Sequence, residues 1–322
     1  MKVGIIGNGL VGSTAAYALV MRRAANEIVL IDANEKRSIA EAADIQHAVP
    51  FIQATDIYHG SYEDLTGSKV IIIAAGVSQK PGETRLMLLE RNAVILKAII
   101  PNAVKYAPNA IFIIATNPVD IITHLCAEIA AEYGVPSSRV IGTGTTLDTA
   151  RFRALLGKQL DIDPQHVHGY VIGEHGDSEV LVWSNIGIGG LPIDDFLKFR
   201  GIELTEEIKR GIDQDVRNAA YKIIDGKGST YYGIGGAIVR LVEVIARDNR
   251  AILTVCSRTN NIEGVEDVTL ALPHLISGSG DSGTLSLQLN EVERIALRKS
   301  AAIIREKIDE YQNNYSKKLK AV

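Results

Sequence analysis

A chain of 322 residues is long for a single hydrophobic core and predicts about two domains. With 46% hydrophobic and 22% charged residues it has the composition of a folded globular protein, which excludes an intrinsically disordered one. The formal charge is −4 (34 Lys and Arg against 38 Asp and Glu), and no basic block occurs beyond Lys317-Lys318-Leu319-Lys320. Nucleic acid is therefore excluded as a main partner, because phosphate contacts require a clustered cationic face.

Met1-Lys2 runs straight into an apolar strand pattern with a glycine turn behind it, which lacks the layout of a signal peptide. The longest apolar runs are too short to span a bilayer, so a soluble protein with no membrane partner is expected. Residues 3–6, 28–31, 70–74 and 111–115 are nearly continuous in apolar side chains, as strands covered on both faces are. Helical patterns lie between and after them, over residues 13–20, 38–48, 86–100 (stopped at Pro101) and 120–133, with Asp120 as N-cap and Gly134 as C-cap. This alternation predicts an α/β fold with a doubly wound parallel sheet, whose ligands sit at the carboxyl ends of the strands.

Beyond Gly142 the pattern changes. Residues 167–172 and 180–188 read as strands around a turn, and glycines at 187, 189 and 190 interrupt the pattern after them. Residues 205–225 form a helical pattern with Ile208, Ile212, Val216, Ala219 and Ile223 on one face. Residues 289–318 form another, acidic at its start and basic at its end. The expected division is a nucleotide-binding Rossmann domain over residues 1–142 and an α+β catalytic domain over residues 143–322.

The first strand ends in Gly7-Asn8-Gly9-Leu10-Val11-Gly12, a G-x-G-x-x-G that opens a helix. Gly7 permits the tight turn, Gly9 lets the backbone approach a pyrophosphate, and Gly12 lets the helix pack on the strand. Asp32 ends the next strand, where an acid accepts from a ribose 2′-hydroxyl and repels a 2′-phosphate. NAD is thus the expected cofactor, although Lys36 and Arg37 stand nearby.

Four further stretches carry chemistry. The loop from Gly76 to Arg85 contains Gln79, Lys80, Pro81 and Gly82, and reads either as a lid delivering Arg85 or as a solvated surface loop. Asn117, before Pro118, ends the fourth strand as a ligand contact or as a plain turn residue. Asp148 and Arg151, three apart at a helix start, share one helix face. They read as an intrahelical ion pair, or as an acid that orients a base beside a cation that grips an anion. His175, in Gly173-Glu174-His175-Gly176-Asp177, is held at a strand end by glycines and is suited to proton exchange near neutral pH. Glu174, His175 and Asp177 make a poor metal site, because neighbours on extended backbone point to opposite faces. Cys126 and Cys256 are too few and too far apart for a disulfide framework or a cysteine-rich metal site. No metal is expected, and a reduced, cytoplasmic setting is.

Taken together and in this order, the glycine turn, Gln79-Lys80-Pro81-Gly82-Glu83-Thr84-Arg85, Thr116-Asn117-Pro118-Val119-Asp120, Leu147-Asp148-Thr149-Ala150-Arg151 and Gly173 to Asp177 resemble the L-lactate and malate dehydrogenase superfamily. The resemblance implies reversible, NAD-dependent reduction of pyruvate to L-lactate, with His175 as proton donor and acceptor and Asp148 bonded to it. It implies that Arg151 holds the substrate carboxylate as a two-pronged fork, which lysine cannot reproduce. It further implies that Arg85 polarises the carbonyl and that Asn117 positions substrate and nicotinamide. Malate-type relatives carry Arg where this chain has Gln79. A neutral Gln leaves a second carboxylate unpaired in a dry site, which puts the chain on the lactate side of the superfamily. Malate dehydrogenase, a dehydrogenase for bulkier 2-hydroxy acids, and a non-catalytic NAD(H)-binding module are the alternatives.

Thr230 matches a position lining the substrate pocket, or is a plain helix-start residue. Arg153 and His168 match positions through which many bacterial relatives bind fructose 1,6-bisphosphate, or are a surface arginine and a strand histidine. A bacterial-type homotetramer, without the N-terminal arm of vertebrate relatives, is the implied assembly.

Overall fold

The computed structural model describes residues 1–77, 82 and 84–320, without the side chains of Arg85 and residues 315–320. The first half of the chain alternates β1 (Lys2–Ile6), α1 (Leu10–Arg22), β2 (Glu27–Ile31), α2 (Glu35–Gln46), β3 (Asp56–His59), β4 (Val70–Ile73), α3 (Arg85–Tyr106), β5 (Ile111–Ile114), α4 (Val119–Glu132) and β6 (Val140–Gly142). The six strands pair in parallel in the order β3-β2-β1-β4-β5-β6. Both faces of the sheet are covered, so its strands are apolar throughout. In β4, Ile71 and Ile73 join the core on one face while Val70 and Ile72 join the core on the other. The predicted doubly wound sheet is present.

The second half contributes α5 (Thr146–Leu160), β7 (Val167–His168), β8 (Val171–Ile172), β9 (Val180–Leu181), β10 (Gly187–Ile188), β11 (Leu191–Pro192), α6 (Ile193–Arg200), α7 (Glu206–Lys227), α8 (Tyr232–Arg247), β12 (Ala251–Ile262), β13 (Val265–Ser277), β14 (Gly280–Thr284) and α9 (Glu291–Lys320). Strands β12 to β14 extend the parallel sheet through a Cys256–Gly142 pairing, giving nine strands in all. The long β12–β13 hairpin turns at Glu263 and Gly264, both at positive φ (49° and 87°). A Glu at the first of these positions hides the turn from a reading that looks for Asn-Gly.

Three local expectations need correction. Helix α3 does not stop at Pro101 but runs through it to Tyr106. Burial of Ile100, Ala103 and Val104 on both sides of the proline outweighs an interior-proline cost of about 3 kcal/mol. Asp120 is not the N-cap of α4; Pro118 holds that position and Asp120 lies buried in the first turn. The segments read as two strands are four short ones, because β7 pairs with β10 and β8 with β9 in separate small sheets. Among the described residues no helix is long and apolar enough to cross a membrane.

Candidate active site

The carboxyl ends of β1, β4 and β5 place the glycine turn, Gly76 and Asn117 along one edge of the sheet. Gly7 sits at φ 95°, and a Cβ there would lie 2.3 Å from the Ala75 nitrogen. A Cβ on Gly12 would meet the Gly7 carbonyl oxygen at 1.9 Å, so only glycine lets α1 approach β1 this closely. Gly9 faces open space as the N-cap of α1, with no side chain capping the first turn. The unpaired N–H groups of that turn and the positive end of the helix dipole are therefore free for an anion. Asp32 meets the same turn: one carboxylate oxygen accepts from the Asn8 backbone N–H at 2.6 Å and the other from Asn34 at 2.8 Å. A carboxylate has about four lone-pair sites, so acceptor capacity remains for hydroxyl groups. This cradle of open backbone and a fixed acid fits the pyrophosphate and adenosine ribose of a dinucleotide.

Farther along the edge is a cavity of about 360 Å³, lined among others by Asn117, Asp120, Asp148, Arg151, His175 and Glu179. Asp148 bridges two cavity residues. Its Oδ2 accepts from Nδ1 of His175 at 2.6 Å and its Oδ1 from Nη1 of Arg151 at 2.7 Å. The intrahelical pair of the first reading therefore forms, and the same carboxylate also reaches the histidine. Because a carboxylate only accepts, the Nδ1 position carries the hydrogen and Nε2 is left for a ligand.

Burial alone would lower the His175 pKa, but the charge and hydrogen bond of Asp148 outweigh it, and Asp120 and Glu179 add to them, lifting it to about 9. Asp148 lies below its ordinary range, because the same two cationic neighbours overcome a burial that would raise it. Two more carboxyls share the cavity wall. Burial pushes Asp120 up to about 7, against a hydrogen bond from His175, and pushes Glu179 up to about 8, with the Asp148 charge adding.

The histidine loop is pinned from several sides. Gly173, at φ 91°, exchanges two backbone hydrogen bonds with Ala271 of β13. The Glu174 N–H donates to Ser300 of α9, and its carboxylate accepts from Lys307 at 2.8 Å and Ser178 at 2.5 Å. The His175 backbone N–H donates to Asp120 Oδ2 at 2.8 Å. Sequence reasoning does not single out Asp120, Glu179, Ser300 or Lys307 as site residues. The residues that Asp120 and Lys307 bond lie far off along the chain, and the tight spacing of Gly173 to Glu179 points to the loop without showing what holds it.

The remaining candidates divide. Asn117 lines the cavity, its carbonyl accepting from Asn92 at 2.8 Å. Thr230 lies between α7 and α8 and is not among the cavity-lining residues. Arg153 donates to the Gly169 carbonyl at 3.0 Å and stacks over Tyr170, while His168 is exposed on β7. Gln79 and the Arg85 side chain fall outside the described residues; Arg85 itself opens α3, whose Leu86 and Leu89 line the cavity. Among the described residues no cluster of His, Cys, Asp and Glu is placed to hold a metal.

Residues 1–142 match the family model described as lactate/malate dehydrogenase, NAD binding domain, and residues 145–314 match its alpha/beta C-terminal domain. The chain is 56% identical to the L-lactate dehydrogenase of Geotalea daltonii over 96% of this chain and 99% of that one. It is 51% identical to the L-lactate dehydrogenase of Thermus aquaticus, covering 95% and 97% respectively. Among solved structures, it superposes on the ligand-bound minor L-lactate dehydrogenase of Enterococcus mundtii with a TM-score of 0.91 at 39% identity, over 96% of this chain and 98% of that one. A lactate dehydrogenase from a deep-sea metagenome gives 0.92 at 38% identity, over 97% and 98%. Cradle, cavity and both halves of the chain agree: the protein belongs to the lactate/malate dehydrogenase family.

Proposed function

We propose that this chain is an NAD-dependent L-lactate dehydrogenase that interconverts pyruvate and L-lactate. The observation that carries this reading is the Asp148 carboxylate held between His175 and Arg151 in one cavity, at the same sheet edge as the glycine turn. When bound, NAD(H) supplies or accepts the hydride at the substrate carbon. Gly7, Gly9, Gly12 and Asp32 hold its pyrophosphate and ribose, and Asn117 faces the cavity from the cofactor half of the chain. Residues 1–142 thus serve the cofactor and residues 143–322 most of the substrate chemistry.

His175, a cation at neutral pH, donates from Nε2 to the carbonyl oxygen as negative charge gathers there, and takes the proton back in the reverse direction. Asp148 holds Nδ1, which sets the ring's orientation and stabilises the imidazolium. Arg151 has five donors and spends one on Asp148, which leaves a fork for the substrate carboxylate. Arg85 polarises the carbonyl from the start of α3, and Gln79 disfavours a second carboxylate because it offers no charge to pair with it. A bare dinucleotide-binding module has no use for a protonated histidine and a cation in the same cavity.

Arg153 donates to the carbonyl of Gly169, the residue after His168, which keeps its guanidinium close to the backbone of that histidine, and the two residues together would bind fructose 1,6-bisphosphate. The exposed aromatic groups of Tyr17, Phe51 and Tyr232 would be covered in a homotetramer. The deciding experiment follows NADH oxidation with pyruvate, oxaloacetate and 2-oxoisocaproate side by side, with and without the bisphosphate, and measures the sedimenting mass. Pyruvate should give the highest kcat/KM; a preference for oxaloacetate or for the bulkier acid would overturn the substrate assignment.

A further inference from the structure

We infer that Asp120 is a positioning residue, which sets the place of His175 in the cavity by gripping its backbone N–H from the cofactor-carrying half of the chain. The inference rests on the lactate dehydrogenase reading above and extends it to a residue outside that machinery. Asp120 Oδ2 accepts from the His175 nitrogen at 2.8 Å, and Asp120 is only 2% exposed. Its Oδ1 meets no N–H or O–H donor among the described residues, only the weakly donating thiol of Cys256. A carboxyl half satisfied in a buried position costs folding free energy, so its presence calls for a role beyond stability.

The position of Asp120 supplies that role. Three residues before it stands Asn117, beyond the end of β5 and beside the cavity; Asp120, in the first turn of α4, directs its carboxyl to the histidine loop. The other anchors of the loop come from β13, α9, α5 and α7, all in the second half of the chain. Asp120 is the anchor that ties His175 to the first turn of α4, directly after Asn117 and Pro118. Asp148 governs the rotation and charge of the ring, but a bond to the ring leaves the backbone free to drift. With the Asp120 bond in place, both ends of His175 are fixed, and the Nε2 atom keeps its distance from a substrate held by Arg151. Displacing a reacting group by about 1 Å is enough to cost on the order of 100-fold in rate.

Asn and Ala at this position separate the anchor from the rest. In Asp120→Asn the amide oxygen accepts the same N–H, and the amide nitrogen takes the place of the oxygen beside the Cys256 thiol, whose sulfur can accept from it weakly. In Asp120→Ala the acceptor is gone, and in Asp120→Glu it is displaced by one methylene. With the intact enzyme at pH 6, where Asp148 by itself keeps His175 protonated, we expect the Asn variant to stay within about threefold of wild type in kcat for pyruvate reduction, and Ala and Glu to fall by roughly 100-fold. The NADH dissociation constant of the folded Ala variant should stay near wild type, so that the loss falls on kcat, a split that a merely structural role would not give. If Ala does not fold, the contrast between Asn and Glu carries the test. An Ala or Glu variant within threefold of wild type, or an Asn variant as slow as Ala, would overturn the inference. Failure of the wild-type protein to reduce pyruvate would instead overturn the activity itself, which the same assay reads first.

Discussion

Replacing Asp148 by Asn leaves the cavity nearly isosteric and removes the charge that holds His175 protonated. The His175 pKa stands at about 9 against an ordinary 6.5, and the Asp148 charge and its hydrogen bond are the largest of the effects that raise it. That rise of roughly 2.5 units corresponds to about 3 kcal/mol of preference for the imidazolium. The ring is 29% exposed, facing the cavity, so solvent screening trims this to about 2–3 kcal/mol. In the Asn variant the burial of the ring loses its main counterweight, and the pKa falls back toward the ordinary 6.5. The assay is kcat/KM for pyruvate across pH 5 to 10. Wild type should hold a plateau until about pH 9, because reduction requires the imidazolium, whereas the variant should decline from a pH closer to the ordinary 6.5. A return to the ordinary 6.5 costs about 10-fold at pH 7.5 from protonation alone, before any loss of ring orientation. The limb governing lactate oxidation should move down by the same amount, since the two directions share one histidine. An alkaline limb that stays near pH 9 in Asp148→Asn would refute the assignment of the charge to Asp148.

The other expectations read out different parts of the molecule. Glu179 has a folded-state pKa of about 8 against 4.5 unfolded, so its relative contribution to stability is complete below pH 4.5 and is lost as pH rises through 8. Glu179→Gln removes that penalty: its melting temperature, followed by the fluorescence of the single tryptophan, Trp183, should match wild type near pH 4 and exceed it by several degrees at pH 8.5. A gain of equal size at both pH values would contradict the burial of this carboxyl as its cause. Gly12→Ala should abolish NADH binding in a calorimetric titration, because the added methyl meets the Gly7 carbonyl oxygen at 1.9 Å; retained affinity would show that α1 can shift without harm. Arg151→Lys should raise the pyruvate KM by about 100-fold with a smaller change in kcat, as a point charge replaces a fork already tied to Asp148. Gln79→Arg should shift kcat/KM toward oxaloacetate, and an unchanged ratio would remove Gln79 from substrate choice.

What the sequence determines on its own is whatever depends on short spacing. The apolar runs of β1, β2, β4 and β5 are legible because strands buried on both faces admit few polar residues, and the glycine turn because a close backbone approach leaves no room for a Cβ. The motifs of Asp148, Arg151 and His175 are visible as separate stretches for the same reason. The tertiary structure decides how they combine. Asp148 reaches His175 across 27 residues and Asp120 reaches it across 55, separations over which periodicity carries no information. Asp120 reads as a helix cap because Asp at a helix start is most simply explained by local backbone hydrogen bonding. Its actual partner is the backbone of a loop that packing alone brings near. The β12–β13 hairpin is hidden for a related reason: its pairing is set by the sheet it joins at Gly142, and its turn carries a Glu where local rules expect Asn. Pro101 shows the same priority from the other side, since a local signal to stop the helix gives way to the core on which that helix lies. Local chemistry thus names the parts, while burial over long separations decides which atoms meet and how strongly they hold a proton.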